Sequence, residues 1–168
     1  MLKISKRIQL RIAVAAACLL VSASGASALT TTTTFTTQIT LAATCVINSA
    51  TALDFGAAGV LTANVDQTST VQVQCTNTTP YNIGLDAGTG TGATVAVRKL
   101  TSGGANVNYT LYSDAGRTTL WGNTVSTDTV AGTANGASQS YTVYGRVPAQ
   151  TTPAPGTYTD TVTVTVTY

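Results

Sequence analysis

The sequence predicts an all-β protein folded as an Ig-like sandwich, on three observations. The first is the stretch Gly156–Tyr168, GTYTDTVTVTVTY, in which Tyr158, Asp160, Val162, Val164, Val166 and Tyr168 alternate with threonines. Side chains alternate across a strand, so the pattern gives one valine face and one threonine face; a helical period of 3.6 would scatter both around the cylinder. The second is composition: threonine makes up roughly a quarter of the residues after position 28, which suits pleated, half-solvated surfaces. The third is punctuation. About seven alternating stretches are separated by Gly-, Asn-, Asp- and Pro-bearing turns, and none after residue 28 has helical periodicity. Two sheets of such strands bury their inner faces against each other.

In chain order, residues 1–28 read as an export signal that is removed. Lys3, Lys6, Arg7 and Arg11 form a basic head, Ile12–Val21 an apolar core, and Ala26-Ser27-Ala28 a small-residue cleavage site before Leu29. An apolar run this short does not cross a hydrocarbon core of ~30 Å as a helix, so no stable membrane insertion is expected after cleavage. The remainder, Leu29–Tyr168, has the length of one domain.

Removing the signal changes the charge argument. Arg98, Lys99, Arg117 and Arg146 remain against six aspartates, a net charge of −2, so the whole-chain pI of 8.5 misdescribes the mature surface. No basic face is left for nucleic acid or anionic lipid. Cys18 leaves with the signal, and Cys45 and Cys75 remain in a chain bound for an oxidising compartment, where a pair is most simply a disulfide. A two-Cys metal site lacks partners, because the chain has no His and no second Cys pair.

Leu29–Thr34 is a threonine run. Phe35, Thr37, Ile39, Leu41, Ala43, Cys45 and Ile47 then share one parity, which predicts a long strand broken at Asn48–Ala52. Leu53–Gly56 predicts a short strand, and Val71, Val73 and Cys75 a strand that places Cys75 inward like Cys45. Thr76–Pro80 turns the chain, and Tyr81, Ile83 and Leu85 give the next inward face. Asp86–Gly92 is a Gly-rich loop, after which Val95 and Val97 open a strand. Ser102–Ala105 is a hairpin loop before Val107, Tyr109 and Leu111. Asp114–Arg117 is a turn with an expected surface ion pair of little weight, and Leu120-Trp121 a short apolar piece. Val125–Ala137 reads as a polar loop. Tyr141, Val143, Gly145 and Val147 share a face, and Pro148–Gly156 is a proline-bounded loop. The last strand follows, on the order of 35 Å long, with no further strand to cover its free edge.

Catalysis has little to stand on. With no His and no Glu, a Ser or Thr nucleophile lacks an imidazole base, and Lys99 sits beside Arg98. The six aspartates are scattered along the chain and suit solvated turns. DAGTGTG (Asp86–Gly92) lacks the Lys-Ser/Thr and helix of a phosphate loop. Tyr112, Tyr144 and Trp121 offer aromatic rings for a carbohydrate-binding surface, although packing at a sheet face is the commoner use. No catalytic residue, metal or cofactor is expected.

Three stretches carry a resemblance to a known family: QITLAATC (Gln38–Cys45), YTLYSDAGRTTLW (Tyr109–Trp121) and YTVYGRVPAQTTPAPGTYTDTVTVTVTY (Tyr141–Tyr168). They resemble the spore coat protein U-type family, the fold family of archaic chaperone–usher pilins. The resemblance implies an incomplete, six- to seven-stranded Ig-like sandwich at residues 45–168 and an N-terminal donor-strand segment at 29–44. It implies a structural, non-enzymatic subunit whose missing strand is lent first by a periplasmic chaperone. In the fibre an identical or related pilin subunit then supplies it, at an outer-membrane usher.

On that reading Phe35, Thr37, Ile39 and Leu41 are the donor residues. Val162, Val164, Val166 and Tyr168 form the acceptor strand, with the chaperone holding the Tyr168 carboxylate. Strand addition combines main-chain hydrogen bonds with pockets for alternate side chains, and burying each apolar plug contributes roughly 1.5–3 kcal/mol before ordering costs. Periodicity alone equally allows Phe35–Leu41 to be the first strand of a closed sandwich. The expected function is a surface pilus or fimbrial subunit supporting adhesion and biofilm formation, exported to the periplasm and then the cell surface. The alternatives are a secreted coat protein of the same fold and a stand-alone carbohydrate-binding sandwich.

Overall fold

Val71, Val73 and Cys75 on one parity, against Thr70, Gln72 and Gln74 on the other, set up a strand with one face to bury. In the computed structural model, which describes Gly25 and residues 27–168, that face is the floor of a two-sheet sandwich. The chain divides into two compact units, Met1–Ile39 and Thr40–Tyr168. The basic head, the apolar run and Ala26 of the expected signal lie outside the described residues. The described part of the first unit has no regular secondary structure, and its side chains are exposed.

The second unit holds eight strands and, among the described residues, no helix. They are β1 (Cys45–Ala50), β2 (Val65–Cys75), β3 (Pro80–Leu85), β4 (Arg98–Ser102), β5 (Ala105–Tyr112), β6 (Val130–Thr133), β7 (Gln139–Val147) and β8 (Val164–Thr167). One sheet has the order β1-β2-β7-β5-β4 and the other β6-β3-β8, and every pairing is antiparallel. Between them are buried Val71, Val73 and Cys75 of β2, Tyr81, Ile83 and Leu85 of β3, Tyr109 and Leu111 of β5, and Val143 of β7. Each set keeps a period of two, as the alternation predicted.

Five elements differ from the sequence reading. Phe35–Ile47 is not one strand: pairing begins at Cys45, opposite Cys75, and continues to Ala50 through a register shift between Ile47 and Ser49. The polar break expected at Asn48 is accommodated as a bulge, and among the described residues none before Cys45 lies in a strand, although Thr44 exchanges hydrogen bonds with Thr76. Val130–Thr133, inside the expected polar loop, pairs with β3 as β6. Leu53–Gly56 forms no strand, and Val95–Val97 form a turn that precedes β4. The last strand is regular only over Val164–Thr167, although Thr159 bridges to Thr101 of β4 before it. The segment starts beside one sheet and finishes in the other, which interrupts a single long ladder. Where the hairpin reading held, the chemistry is local: Gly103 and Gly104 take φ values of +53° and +88° in the β4–β5 turn.

Candidate functional site

The three-stranded sheet covers only part of the inner face of the five-stranded one. Where it stops, Val65, Leu100, Val107 and Val147 line the floor of a cavity of about 740 Å³. Its walls come from irregular chain, Leu53–Leu61 on one side and Thr152–Tyr158 on the other. Leu53 and Phe55 reach across Gly145 of β7, where an added Cβ would lie 2.7 Å from Leu53 Cδ1 and 3.0 Å from Phe55 Cζ. The Phe55 ring meets Tyr109 edge-on at 6.1 Å. The glycine is what lets these two side chains stand in for a sheet at this level.

Tyr158 lines the cavity and begins the segment leading to β8. Val162, Val164 and Val166 follow on the same parity, half-buried against the core, and Tyr168 is 59 % exposed. β8 pairs with β3 on one side and stands at the end of its sheet. Along residues 159–163 the odd-numbered backbone groups turn to the protein. Thr159 exchanges two bonds with Thr101, and Thr163 O accepts from Asp86 N at 3.1 Å. Among the described residues, the backbone amides of Asp160 and Val162 have no hydrogen-bond partner. Even-numbered residues therefore point their main-chain groups to the open side, with the valine side chains directed inward. A free backbone edge, half-buried valines and an apolar cavity can accept an extended apolar segment.

The expected donor residues are exposed. Phe35, Ile39 and Leu41 are 86 %, 82 % and 80 % exposed, and Thr37 is exposed between them. Cys45 and Cys75 are joined by a disulfide that ties the start of β1 to the end of β2.

Polar groups that the sequence left scattered also come together. Arg98 is fully buried, 0 % exposed, and donates from Nε to Asp86 O, from Nη1 to Val95 O, and from Nη2 to Leu85 O and Trp121 O. Desolvation lowers its pKa, and the nearby Tyr109, Asp86, Asp160 and Asp128 oppose that effect. Burial, and then the hydrogen bond to Asp160, push the Tyr109 phenol far above its ordinary value. Asp86 is held below the usual carboxylate range: burial works against this, but hydrogen bonds from Thr163 and Gly88 and the Arg98 charge prevail. An arginine at the head of a strand, beside Lys99, gives no sequence signal of burial; only the convergence of four carbonyls provides for it.

Two further expectations are corrected. Arg117 does not pair with Asp114. Its backbone has φ +56°, and its guanidinium reaches Asp66 at 3.4 Å and lies over the Tyr144 ring, while Asp114 accepts from the backbone of Thr118 and Thr119. Backbone N–H groups already occupy the Asp114 carboxylate, so the arginine is free to cross to the neighbouring strands. Trp121 is 1 % exposed and donates Nε1–H to Ile83 O at 2.8 Å, whereas Tyr112 and Tyr144 pair across β5 and β7 on the outer face. The three rings form no common surface, which removes the aromatic platform weighed from sequence. Among the described residues no group of three or more His, Cys, Asp or Glu side chains converges to hold a metal, and no helix is long and apolar enough to cross a membrane.

No curated protein matches the chain. Among solved structures it is similar to a chain in the crystal structure of the CsuC-CsuE chaperone-tip adhesion subunit pre-assembly complex from archaic chaperone-usher Csu pili of Acinetobacter baumannii. The identity is 22 % and the TM-score 0.57, over 77 % of this chain and 41 % of that one, so the likeness is one of fold and spans less than half of that chain. The family model described as Spore Coat Protein U domain matches residues 31–165, a span that takes in the exposed apolar segment, the disulfide, the cavity walls and the start of β8. On that match, the chain belongs to the Spore Coat Protein U domain family.

Proposed function

We propose that this protein is a structural subunit of a surface pilus assembled by chaperone–usher donor-strand exchange, in which Phe35–Leu41 of one subunit completes the sandwich of the next. The observation that carries the reading is the unpaired backbone edge at Asp160 and Val162, beside half-buried Val162, Val164 and Val166. In the same chain stands an exposed segment of matching alternation, Phe35, Thr37, Ile39 and Leu41. An open edge next to apolar surface is an aggregation hazard unless a specific strand is meant to cover it. A periplasmic chaperone would cover it first, an outer-membrane usher would order the replacement, and an identical or related subunit would supply the final strand. The solved structure of similar fold, from a complex of a chaperone with a tip adhesion subunit of archaic chaperone-usher pili, supports the first of these partners.

Residues 1–28 would direct export and leave, residues 29–44 would serve as the donor segment, and 45–168 as the acceptor domain. The assembled fibre would serve adhesion and biofilm formation at the cell surface. The test is a crosslink in assembled fibres. Cysteines introduced as Ile39→Cys and Val164→Cys should join neighbouring subunits and give a ladder of multimers on non-reducing gels. Crosslinks confined to single subunits in assembled material would overturn the reading.

A further inference from the structure

Residues 160–163 belong to no regular strand, yet the segment is held at its odd-numbered positions. Thr159 is fixed by the main chain of Thr101, at 2.8 and 3.1 Å. Beyond it, two carboxylates take the place of a strand partner. Asp86 Oδ1 accepts from Thr163 N at 2.9 Å and from Gly88 N at 2.9 Å, while Asp86 N donates to Thr163 O. Asp160 Oδ1 accepts from its neighbour Thr161 N at 2.8 Å, and from Thr89 N and Thr89 Oγ1 at 2.8 and 2.9 Å. Asp160 Oδ2 accepts from Tyr109 Oη at 2.7 Å. The loop is shaped to receive that carboxylate: Gly88 has φ +78°, and any Cβ there would collide with Asp160. The buried Arg98 ties the same loop down through Asp86 O.

We infer that Asp86 and Asp160 are positioning residues that hold Thr159–Thr163 extended before any donor strand arrives, keeping the Asp160 and Val162 amides turned to the open edge. The inference rests on the strand-acceptor reading above and adds the groups that preorganise the acceptor. Without the carboxylates, the main chain between Thr159 and Val164 has only its bond with Asp86 N to hold it, and the edge is competent for only part of the time. Apparent affinity for an incoming strand falls by that fraction. A preformed edge also spares the incoming strand the cost of ordering its partner.

The test uses the full chain and a fluorescent synthetic peptide of residues 33–43, TTFTTQITLAA, with binding measured by anisotropy. Hydrogen exchange of residues 158–167 is followed in parallel without peptide. Asp160→Ala should weaken peptide binding about tenfold, as expected if the edge is formed about one tenth of the time, and speed exchange across 159–163. Asp160→Asn, which keeps an acceptor oxygen for Thr89 and Thr161, should restore most of both. Tyr109→Phe removes only the phenol bond to Asp160 and should shift both readouts in the same direction by less. It also decides the matter should Asp160→Ala not fold. Parent-like binding and exchange in the variant that folds would overturn the inference. If the parent chain binds no peptide, the strand-acceptor reading fails and exchange alone decides: faster exchange at 159–163 upholds the positioning role, and unchanged exchange overturns it.

Discussion

Phe35–Leu41 and Val162–Thr167 both alternate apolar with polar residues, yet only the second finds a sheet in its own chain. The first is exposed along its length and forms no regular structure. The second has Ile83, Gly84 and Leu85 of β3 beside it, and its valines are partly buried against the core. The contrast separates two properties that a pattern merges. Period-two alternation decides that a stretch has an apolar face; it does not decide which chain supplies the partner. Two cysteines mark the boundary, since the strand ladder begins at Cys45, directly opposite Cys75.

The docked stretch should be the costlier to disturb, and the first way to test this is to remove what stands behind it. Arg98→Met removes the donor from four carbonyls, those of Leu85 and Trp121 in buried and those of Asp86 and Val95 in partly buried surroundings. It should lower unfolding free energy by about 3–5 kcal/mol in urea titrations. A loss below about 1 kcal/mol would mean that water replaces the guanidinium, and that the docked segment does not depend on it.

Next in size is the boundary itself. The Cys45–Cys75 bond closes a loop with a sequence separation of 30. On the chain-entropy model, Cys45→Ser with Cys75→Ser should cost about 3–4 kcal/mol. Stability under reducing and oxidising conditions should differ by that amount in the parent and not at all in the double variant.

A smaller pair of substitutions sharpens the comparison directly. Val164→Ala should destabilise by about 1–2 kcal/mol, because the side chain is half-buried against the core. Ile39→Ala should change stability by less than about 0.5 kcal/mol, as an exposed position does. On the proposed function the order reverses in fibre assembly, where Ile39→Asp should stop growth because it places a charge in an apolar groove. Equal thermal losses at positions 39 and 164 would erase the distinction between the two stretches.

The smallest expected effect is in acid. Asp66 is held below the usual carboxylate range first by its bidentate hydrogen bonds with Arg146, with the Arg117 charge adding to it. Asp114 is lowered by the backbone of Thr119 and the bonds from Thr118, and Asp86 is lowered as described above. A carboxylate with a depressed folded-state pKa stabilises the fold above its unfolded value and loses that contribution as pH falls through the folded one. Stability should therefore be flat near neutrality and decline below about pH 4. Asp66→Asn should flatten part of the decline without moving the neutral plateau much, since that pair is partly exposed.

The class of fold and most of the inward faces were legible in the amino-acid letters alone. Val71, Val73, Tyr81, Ile83, Leu85, Tyr109, Leu111 and Val143 are buried where period two puts them, because strand geometry is local and each residue carries its own vote. The cysteine pair was legible once Cys18, in the expected export signal, was set aside. The remaining features depend on groups far apart in the chain. Nothing local marks Val130–Thr133 as a strand, since its apolar content is slight and its place is fixed by pairing with β3. The cavity floor of Val65, Leu100, Val107 and Val147 is drawn from four strands and shows no motif in any of them. The burial of Arg98 requires carbonyls from three separate segments to converge, a condition no single window of sequence contains. The valine face of the last stretch was visible in its letters; which of its edges is taken by Thr101, Asp86 and β3, and which is left open, was settled by the packing of the whole domain.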